Sequence, residues 1–326
     1  MISRTKYKID NAAIERLFVN AGIDGVTKIA PLGAGEYNAV FSVTAKGKDY
    51  ALKISPGDDD LVLTYENKMM PAEVFWYQQI QEHTDITVPK IFYTDFDQTL
   101  IPADYFIMEK LPGRPMDKME LSKSEKADSV AETAKMAARI HKIKNDRFGY
   151  IQNGLYDDWY QAIRAMVNNI LDDCARKGKR SKRGERLLAY IDRYKPVLEK
   201  AECCMVNADL WAPNIICKRE NGEIKYAWID PERSFWGDRI VDFICLEMMT
   251  PLADKEITLS AYNSAADTPV TADEEETIRY TVAQGYLGLI LEAEKYYRYS
   301  LSHFGWWRNV FVSDLLYRNA CKILKG

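Results

Sequence analysis

The 326-residue sequence predicts an α+β fold with two lobes: a small antiparallel sheet with one main helix, followed by a larger, mostly helical lobe. Two observations support this prediction. Short β-branched and apolar runs, separated by Gly-containing turns, dominate the first 110 residues, and long amphipathic helical patterns dominate after the Pro112-Gly113 pair. We therefore expect an N-terminal lobe over residues 1–110 and a C-terminal lobe over residues 111–326.

The first lobe is expected to begin with a helix and to continue as strands. Asp10 suits an N-cap, and apolar residues recur at helical spacing as far as Ala21. The predicted strands cover residues 27–32, 39–45, 50–54, 91–95 and 105–109. The main helix is predicted within residues 64–81, where Pro71 favours a helix that begins near it or kinks there.

The second lobe is predicted to consist mainly of helices, over residues 124–142, 156–177, 182–199, 273–299 and 309–324. A short β-rich segment over residues 203–230 interrupts them and contains the most informative motif of the chain.

Composition excludes several classes of partner. The net charge of −4 and the pI of about 5.6 argue against a nucleic-acid partner. No apolar run approaches membrane-spanning length and the N-terminus opens no apolar signal region, so no membrane partner is expected. The six cysteines show no paired spacing, which favours reduced, buried thiols and a cytoplasmic location.

Three polar residues of the β-rich segment carry the predicted chemistry. Asp209 lies five residues before Asn214, and Asp230 closes an apolar run. An Asp-x₄-Asn motif followed by an Asp at a strand end is the order in which kinases place a catalytic carboxylate and two Mg²⁺ ligands. We expect Asp209 to receive the proton of an acceptor hydroxyl, and Asn214 and Asp230 to bind Mg²⁺. Taken singly, Asp209 is also explained as a turn residue that caps the following segment, and Asp230 as an ordinary Asp at the end of a strand.

A strand lysine and a helix glutamate are the next candidates. Lys53 lies in Tyr50-Ala-Leu-Lys-Ile54, a pattern typical of the kinase lysine that contacts nucleotide phosphates. Its carboxylate partner is expected to be Glu73, with Glu66 as the alternative, since the two lie seven residues apart and share a helix face. Pro71 favours Glu73, which would fall in the first turn of a helix that begins there.

Two further segments are candidates for binding the nucleotide. Gly33 and Gly35 follow a strand, where a phosphate-covering loop belongs, although a plain hairpin turn explains a lone Gly-x-Gly equally well. The backbone from Met108 to Lys110 ends another strand, and it is the candidate hinge that would bind the adenine edge. Met108 and Lys110 are therefore predicted cofactor-binding residues.

These parts occur in one order: Gly-x-Gly, strand Lys, helix Glu, hinge, Asp-x₄-Asn and strand-end Asp. With that order the sequence resembles the aminoglycoside phosphotransferase and choline kinase-like families over nearly its whole length. The residues that resemble the family motifs are Asn207-Ala208-Asp209 with Asn214, Ile140-His-Lys142, Ile229-Asp230-Pro231-Glu232, and Gly237-Asp238 with Asp242. The resemblance implies a protein kinase-like fold and phosphoryl transfer from ATP, with Mg²⁺, to a hydroxyl of a small, often cationic molecule.

Two departures from known kinases are visible. Asn207-Ala208 stands where these families carry His-Gly, but Asn also donates and accepts hydrogen bonds, so activity is expected. Asp230-Pro-Glu replaces the Asp-Phe-Gly of protein kinases, and no Ala-Pro-Glu ends an activation segment, which disfavours a protein kinase. Because Asn207-Ala208 replaces His-Gly and the loop at Gly33 and Gly35 lacks a third glycine, a non-catalytic nucleotide-binding module is the alternative to an active enzyme.

The expected partner is a small hydroxyl-bearing acceptor, with an aminoglycoside-like compound favoured and a choline-like amine or a sugar as alternatives. ATP is the expected cofactor together with Mg²⁺, and GTP fits the same motifs. Candidates for a cation-binding rim are Asp157, Asp158, Glu232, Glu292, Trp159, Trp211, Tyr296, Trp306 and Trp307, although aromatic residues at helical spacing more often belong to the core. The basic run at residues 176–183 can attract an anionic partner, but a solvated loop between helices is favoured.

Overall fold

The protein is described by a computed structural model that covers residues 6–33, 37–57 and 62–324. The chain forms two compact units, Met1–Val62 with Val88–Pro112, and Leu63–Thr87 with Gly113–Gly326. The predicted mixture of an antiparallel sheet and a larger helical part is confirmed. The segment Leu63–Thr87, which contains the main helix, groups with the second unit. The predicted division at residue 110 placed this helix in the first lobe, and that division stays a prediction.

The first unit is one helix packed on an antiparallel sheet. Its elements are α1 (Asn11–Asn20), β1 (Val26–Pro31), β2 (Ala39–Ala45), β3 (Lys48–Ile54), β4 (Ile91–Asp95) and β5 (Tyr105–Glu109), and the strand order is β1-β2-β3-β5-β4. The turn between β2 and β3 consists of Lys46 and Gly47, both with positive φ (48° and 74°). Such a two-residue turn matches the right-handed twist of the strands, so the predicted hairpin forms here.

The core of the first unit lies between α1 and one face of the sheet. The side chain of Asp10 accepts the N–H group of Ala13 and begins the helix as predicted. Phe18 from α1 and Leu52 and Ile54 from β3 are fully buried in one apolar cluster. Burying each such side chain contributes about 1.5–3 kcal/mol. Because side chains alternate along a strand, this cluster directs Lys53 to the opposite face of the sheet.

The second unit contains eight further helices and five further strands within the described residues. The helices are α2 (Met69–His83), α3 (Lys123–Ile140), α4 (Trp159–Arg176), α5 (Lys182–Arg193), α6 (Lys195–Leu198), α7 (Glu256–Asn263), α8 (Glu274–Arg298) and α9 (Phe304–Leu324). The strands are β6 (Arg114–Pro115), β7 (Cys203–Val206), β8 (Ile215–Glu220), β9 (Glu223–Trp228) and β10 (Phe235–Asp238), arranged as β6-β8-β9 and β7-β10. None of the helices described in the structure combines the length and the apolar character that crossing a membrane requires.

Several boundaries differ from the sequence prediction for local reasons. Asp158 caps α4 by accepting the N–H group of Gln161, so this helix begins at Trp159. The predicted helix 182–199 divides at Tyr194, because Pro196 occupies the start of α6. The last helix begins at Phe304 rather than at residue 309. Helix α7 and strand β10 were not predicted.

Candidate active site

The β8–β9 hairpin brings Asn214 and Asp230 together. Its turn is Asn221-Gly222, with φ of 52° and 85°, a dipeptide that favours a tight two-residue connection. The register pairs Ile215 with Trp228, and beyond this pair the N–H group of Ile229 donates to the carbonyl of Asn214 at 2.9 Å. The predicted metal ligands therefore flank the open end of one hairpin.

Asp209 lies on the turn that follows β7. Asn214 donates from Nδ2 both to the backbone oxygen of Asp209, at 3.0 Å, and to its carboxylate, at 3.2 Å. Ala208, just before the catalytic candidate, has φ of 59° in the left-handed region. The structure therefore brings Asp209 and Asn214 into direct contact, with the carboxylate oriented by the amide.

Asn207, which replaces the family histidine, is fully buried and uses both ends of its side chain. Oδ1 accepts the backbone N–H group of Asp209 at 3.0 Å, and Nδ2 donates to Oγ of Ser234 at 3.0 Å. Asn207 thus connects the turn of Asp209 to the segment that follows Asp230. The amide of Asn207 therefore orients the backbone of Asp209 although it has no imidazole ring.

Asp242 also holds the same turn, through hydrogen bonds to its backbone. One carboxylate oxygen accepts the backbone N–H groups of Asn207, at 2.9 Å, and Ala208, at 2.7 Å. The other lies 2.9 Å from Nε2 of His141, whose Nδ1 is 2.8 Å from the hydroxyl of Tyr262. Asp242 and His141 are both buried, so this chain of hydrogen bonds rigidifies the backbone next to Asp209.

A cluster of carboxylates lies beside Asp230. The carboxylate oxygens of Glu73, Asp230 and Glu232 lie within 4.8 Å of one another. Helix α2 supplies Glu73, which is buried, and also Tyr77, whose hydroxyl accepts the backbone N–H group of Asp230 at 2.9 Å. Asp230 itself has φ of 67°, an uncommon value for a residue with a side chain. Clustered carboxylates with the nearby amide of Asn214 form an oxygen-donor set, which Mg²⁺ prefers.

The electrostatic environment of Asp209 matches a general base. Burial raises the pKa of Asp209 to about 7, and the negative charges of Asp230 and Glu232 act in the same direction. The guanidinium of Arg233 and the hydrogen bond from Asn214 oppose this shift. A carboxylate that titrates near neutral pH is suited to accept a proton from a hydroxyl.

A buried ionic network supports the segment after Asp230. Arg233 pairs with Glu294 of α8 at 2.5 Å, and Arg298 of the same helix pairs with both Glu294 and Glu66. The carboxylate of Glu66 also accepts the N–H group of Leu63 at 2.8 Å. Glu66 is thus a structural ion-pair partner of Arg298, and Glu73 is the glutamate that lies beside Asp230. The predicted pairing of Glu73 with Lys53 stays a prediction.

The predicted nucleotide-binding residues of the first unit lie on and beside its sheet. Lys53 is buried on β3, with Val40 and Phe106 as its neighbours in the register. Met108 is buried on β5. The side chain of Lys110 pairs with Asp49 at 3.1 Å, and the hinge role of Met108 and Lys110 stays a prediction.

The predicted glycine pair is only partly described. Gly33 has φ of 74°, which favours glycine. Gly35 lies outside the described residues.

The residues predicted as a cation-binding rim lie in different environments. Asp158 caps α4, Trp159 is buried in the core, and Glu292 accepts the hydroxyl of Ser181. Trp211, two residues after Asp209, and Trp307 are exposed by 39% and 59%.

Sequence reasoning missed Arg233, Ser234, Glu294 and Arg298. Their contacts with one another and with Asn207 and Glu66 join segments that are mostly distant in sequence. Cys245, whose thiol donates to the carbonyl of Ala208 at 3.2 Å, was expected only as a buried residue.

Comparison with known proteins defines the class. The family model for the phosphotransferase enzyme family matches residues 28–275, and the chain therefore belongs to that family. This match confirms the predicted recognition and the predicted enzyme class, a phosphotransferase of the small-molecule kinase type. None of the curated protein sequences is significantly similar to the chain.

Solved structures with the same fold cover nearly the whole chain. A microcompartment-associated aminopropanol kinase has 16% identity and a TM-score of 0.66, and the match covers 97% of this chain and 98% of that one. An aminoglycoside phosphotransferase in ternary complex with AMP-PNP and hygromycin B has 15% identity and a TM-score of 0.61, over 94% of this chain and 98% of that one. A Ralstonia eutropha protein provisionally described as an aminoglycoside phosphotransferase has 16% identity and a TM-score of 0.63, over 97% and 99%. These likenesses confirm the kinase-like fold.

Proposed function

We propose that this protein transfers the γ-phosphoryl group of ATP to a hydroxyl of a small acceptor molecule. The observation that carries the proposal is the contact of Asn214 with both the backbone and the carboxylate of Asp209, at the open end of the hairpin that also leads to Asp230. Phosphoryl transfer depends on positioning and charge neutralisation more than on covalent chemistry. The contact supports the assignment of Asp209 as the base and of Asn214 as a metal ligand beside it.

In this proposal each residue has a separate role. Asp209 accepts the proton of the acceptor hydroxyl, and its pKa of about 7 allows it to be ionised at neutral pH. Asn214 and Asp230 bind Mg²⁺, and the carboxylates beside Asp230 fit a divalent cation. When bound, Mg²⁺ neutralises charge on the phosphates. Lys53 contacts the phosphates, and Gly33, Gly35, Met108 and Lys110 contact the nucleotide.

The class of acceptor is proposed from the relatives and from the site. Structures with this fold include an aminopropanol kinase and an enzyme bound to hygromycin B, both named for small molecules with amines and hydroxyls. Glu232 adds a negative charge beside Asp209, and Trp211 presents an exposed ring two residues away. A cationic or polyhydroxylated acceptor suits these groups, so an aminoglycoside-like compound is favoured over a choline-like amine or a sugar.

A coupled assay of nucleotide consumption tests the proposal. Purified protein with Mg²⁺ and ATP, or GTP in parallel, is screened against aminoglycosides, choline-like amines, amino alcohols and sugars. We expect acceptor-dependent turnover with at least one class, and a loss of at least about 1000-fold in Asp209→Asn because the base is removed. Asp267→Asn, at an exposed surface ion pair, is the matched control and should keep full activity. Absence of turnover with every class would contradict the proposal.

The alternative is a nucleotide-binding module without catalysis, and it rests on Asn207-Ala208 in place of His-Gly. It predicts a thermal shift with Mg²⁺ and ATP but no phosphorylated product. Retention of Asp209, Asn214 and Asp230 in mutual proximity favours the active enzyme. We also propose that the enzyme works in the cytoplasm, where ATP is present and where its buried thiols stay reduced.

A further inference from the structure

Helix α9 carries an unusually exposed row of large apolar side chains. Phe304, Trp307 and Phe311 are 78%, 59% and 68% exposed, and Leu301 in the preceding turn is 65% exposed. The three aromatic residues follow the spacing i, i+3, i+7 and therefore lie on one side of the helix. We call these four residues the α9 apolar face.

The other side of α9 belongs to the core of the second unit. Asn309 donates to Glu294 and to the carbonyl of Leu291, and Ser313 donates to the carbonyl of Gly288. Leu316 and Tyr317 are buried. The helix is thus held firmly by α8, and the exposure of the apolar face is a property of its fixed orientation.

The area of the α9 apolar face is larger than scattered surface residues explain. A large aromatic side chain has about 150–250 Å² of surface, so the four residues together present roughly 500 Å² of apolar area. Contiguous apolar patches of this size on soluble proteins are often functional. The face is therefore a candidate contact surface for a partner that has apolar character.

Positive charges surround this face. Arg308 and Arg318 are exposed on α9 itself, and Arg318 pairs with Asp314 of the same helix. Arg183 of α5 pairs with Asp314 of α9 and lies over the ring of Tyr317, at 4.8 Å, which places α5 along one edge of the face. Arg186, one turn after Arg183, is exposed on the same helix.

The basic run extends this charged edge. Residues 176–186 contain seven Lys or Arg residues and one acid, Glu185, in a chain whose net charge is −4. Among the residues that the structure describes, Lys179, Lys182 and Arg186 have no ion-pair partner. Lys179 lies over the ring of Tyr296, which packs against Trp306 of α9. The basic run therefore lies close to the first turn of α9.

We propose that the α9 apolar face and its basic edge dock on an anionic lipid bilayer surface. Phe304, Trp307 and Phe311 would lie at the boundary of headgroups and acyl chains, where such rings are favoured. The cations of the basic edge would lie over anionic headgroups, each contributing about 1 kcal/mol near the surface. This departs from the sequence-based expectation of no membrane partner, which considered spanning segments and overall charge rather than one helix face.

Charge complementarity selects this occupant over a second copy of the chain. A two-fold pairing through the α9 apolar face would bring two copies of the same basic edge close together, and like charges in an interface are costly. An anionic bilayer offers both an apolar layer and negative charge. A nucleic acid offers the charge but no apolar layer that would cover the face.

Vesicle co-sedimentation tests the inference. The 326-residue protein is mixed with vesicles of phosphatidylcholine alone, or of phosphatidylcholine with ~30 mol% phosphatidylserine to represent an anionic leaflet. We expect at least about 10-fold stronger partition onto the anionic vesicles at low salt, and release at high salt because the headgroup contacts are screened. The triple change F304S/W307S/F311S and the charge change K179E/K182E/R186E should each reduce binding at least about 10-fold.

Two controls keep the result specific. Phe92→Ser removes an exposed aromatic of the first unit and should leave vesicle binding unchanged. Thermal unfolding of each variant shows that it is folded, and the charge variant retains the whole apolar face. Lack of vesicle binding by the unchanged protein would overturn the inference. So would a concentration-dependent dimer that the triple change abolishes, or tighter binding to a single-stranded RNA oligonucleotide than to the vesicles.

Discussion

The side chain of Asn207 holds the backbone of Asp209 in place, because its Oδ1 accepts the Asp209 N–H group at 3.0 Å. Its Nδ2 is used at the same time by Ser234. The residue that departs most visibly from the family motif therefore orients the catalytic candidate. Its replacement of histidine is compatible with an active enzyme.

Asn207→Ala should lower turnover by at least about 10-fold and destabilise the fold by about 1–3 kcal/mol, because two buried groups lose their partners. Steady-state kinetics and urea unfolding measure the two effects. Ser234→Ala removes only the outer contact and should have a clearly smaller effect on turnover. Equal kinetics for Asn207→Ala and the unchanged protein would contradict an orienting role.

Ala208→Gly should increase the free energy of unfolding by up to about 1 kcal/mol. A residue with a Cβ is strained at the φ of 59° that Ala208 adopts, and glycine is not. Urea unfolding measures the change. Ala227→Gly in β9 is the matched control and should destabilise the protein, since a strand interior offers glycine no such gain. A loss of stability in Ala208→Gly would show that the backbone there is not strained.

The pH dependence of kcat/KM should follow the ionisation of Asp209. Because burial raises its pKa to about 7 and the ionised form is the base, activity should be full above neutral pH and fall about tenfold per unit below it. A profile that stays flat down to pH ~5 would exclude this pKa.

Stability should respond to Asp209 in the opposite direction. The folded-state pKa lies above the unfolded one, so the native state binds the proton more tightly and gains stability at this site as pH falls from about 7 towards 4. Asp209→Asn should therefore raise the melting temperature at pH ~8 while it abolishes turnover. An unchanged or lower melting temperature would contradict the electrostatic strain inferred here.

Asp242→Ala should destabilise the protein by about 2–4 kcal/mol, because two backbone N–H groups and His141 lose a buried acceptor. Asp242→Asn keeps one acceptor oxygen for the backbone and should cost less. Urea unfolding and turnover are measured on both. Similar losses in the two variants would show that the charge, rather than the acceptor geometry, dominates.

Glu66→Gln and Glu73→Gln should have distinct effects. Glu66 pairs with Arg298, so its change should lower the free energy of unfolding and leave KM for nucleotide near normal. Glu73 lies in the carboxylate cluster beside Asp230, so its change should lower turnover at limiting Mg²⁺ with a small effect on stability. If Glu66→Gln lowered turnover at limiting Mg²⁺ and Glu73→Gln lowered only stability, Glu66 would be the functional glutamate instead.

Much of the fold was predictable because its signals are local. The β2–β3 hairpin is indicated by a Gly-containing turn between two apolar, β-branched runs, and α1 is indicated by Asp10. Helix α7 has only eight residues and too short a pattern to recognise. The start of α9 was missed because Phe304 and Trp307 are exposed and so do not follow the amphipathic pattern of a core helix.

The candidate site likewise contains residues that local sequence patterns indicate and residues that they do not. Asp209, Asn214 and Asp230 were found because one short motif and one strand end contain them. Their assigned roles are still predictions. The support from Arg233, Glu294, Arg298 and Glu66 was not predictable, since Glu66 and Arg298 are 232 positions apart and carry no shared local pattern. Pairing at that separation is decided by the packing of α8.

The thiol of Cys245, bonded to the carbonyl of Ala208, offers a natural probe of motion at the catalytic turn. Burial raises the pKa of this thiol well above its usual range, so it resists alkylation while the turn is closed. Opening of that carbonyl contact would increase the access of a thiol reagent to Cys245. The rate of Cys245 labelling can be followed by mass spectrometry with and without nucleotide. It would report how often the turn opens locally and whether a bound nucleotide makes this opening rarer.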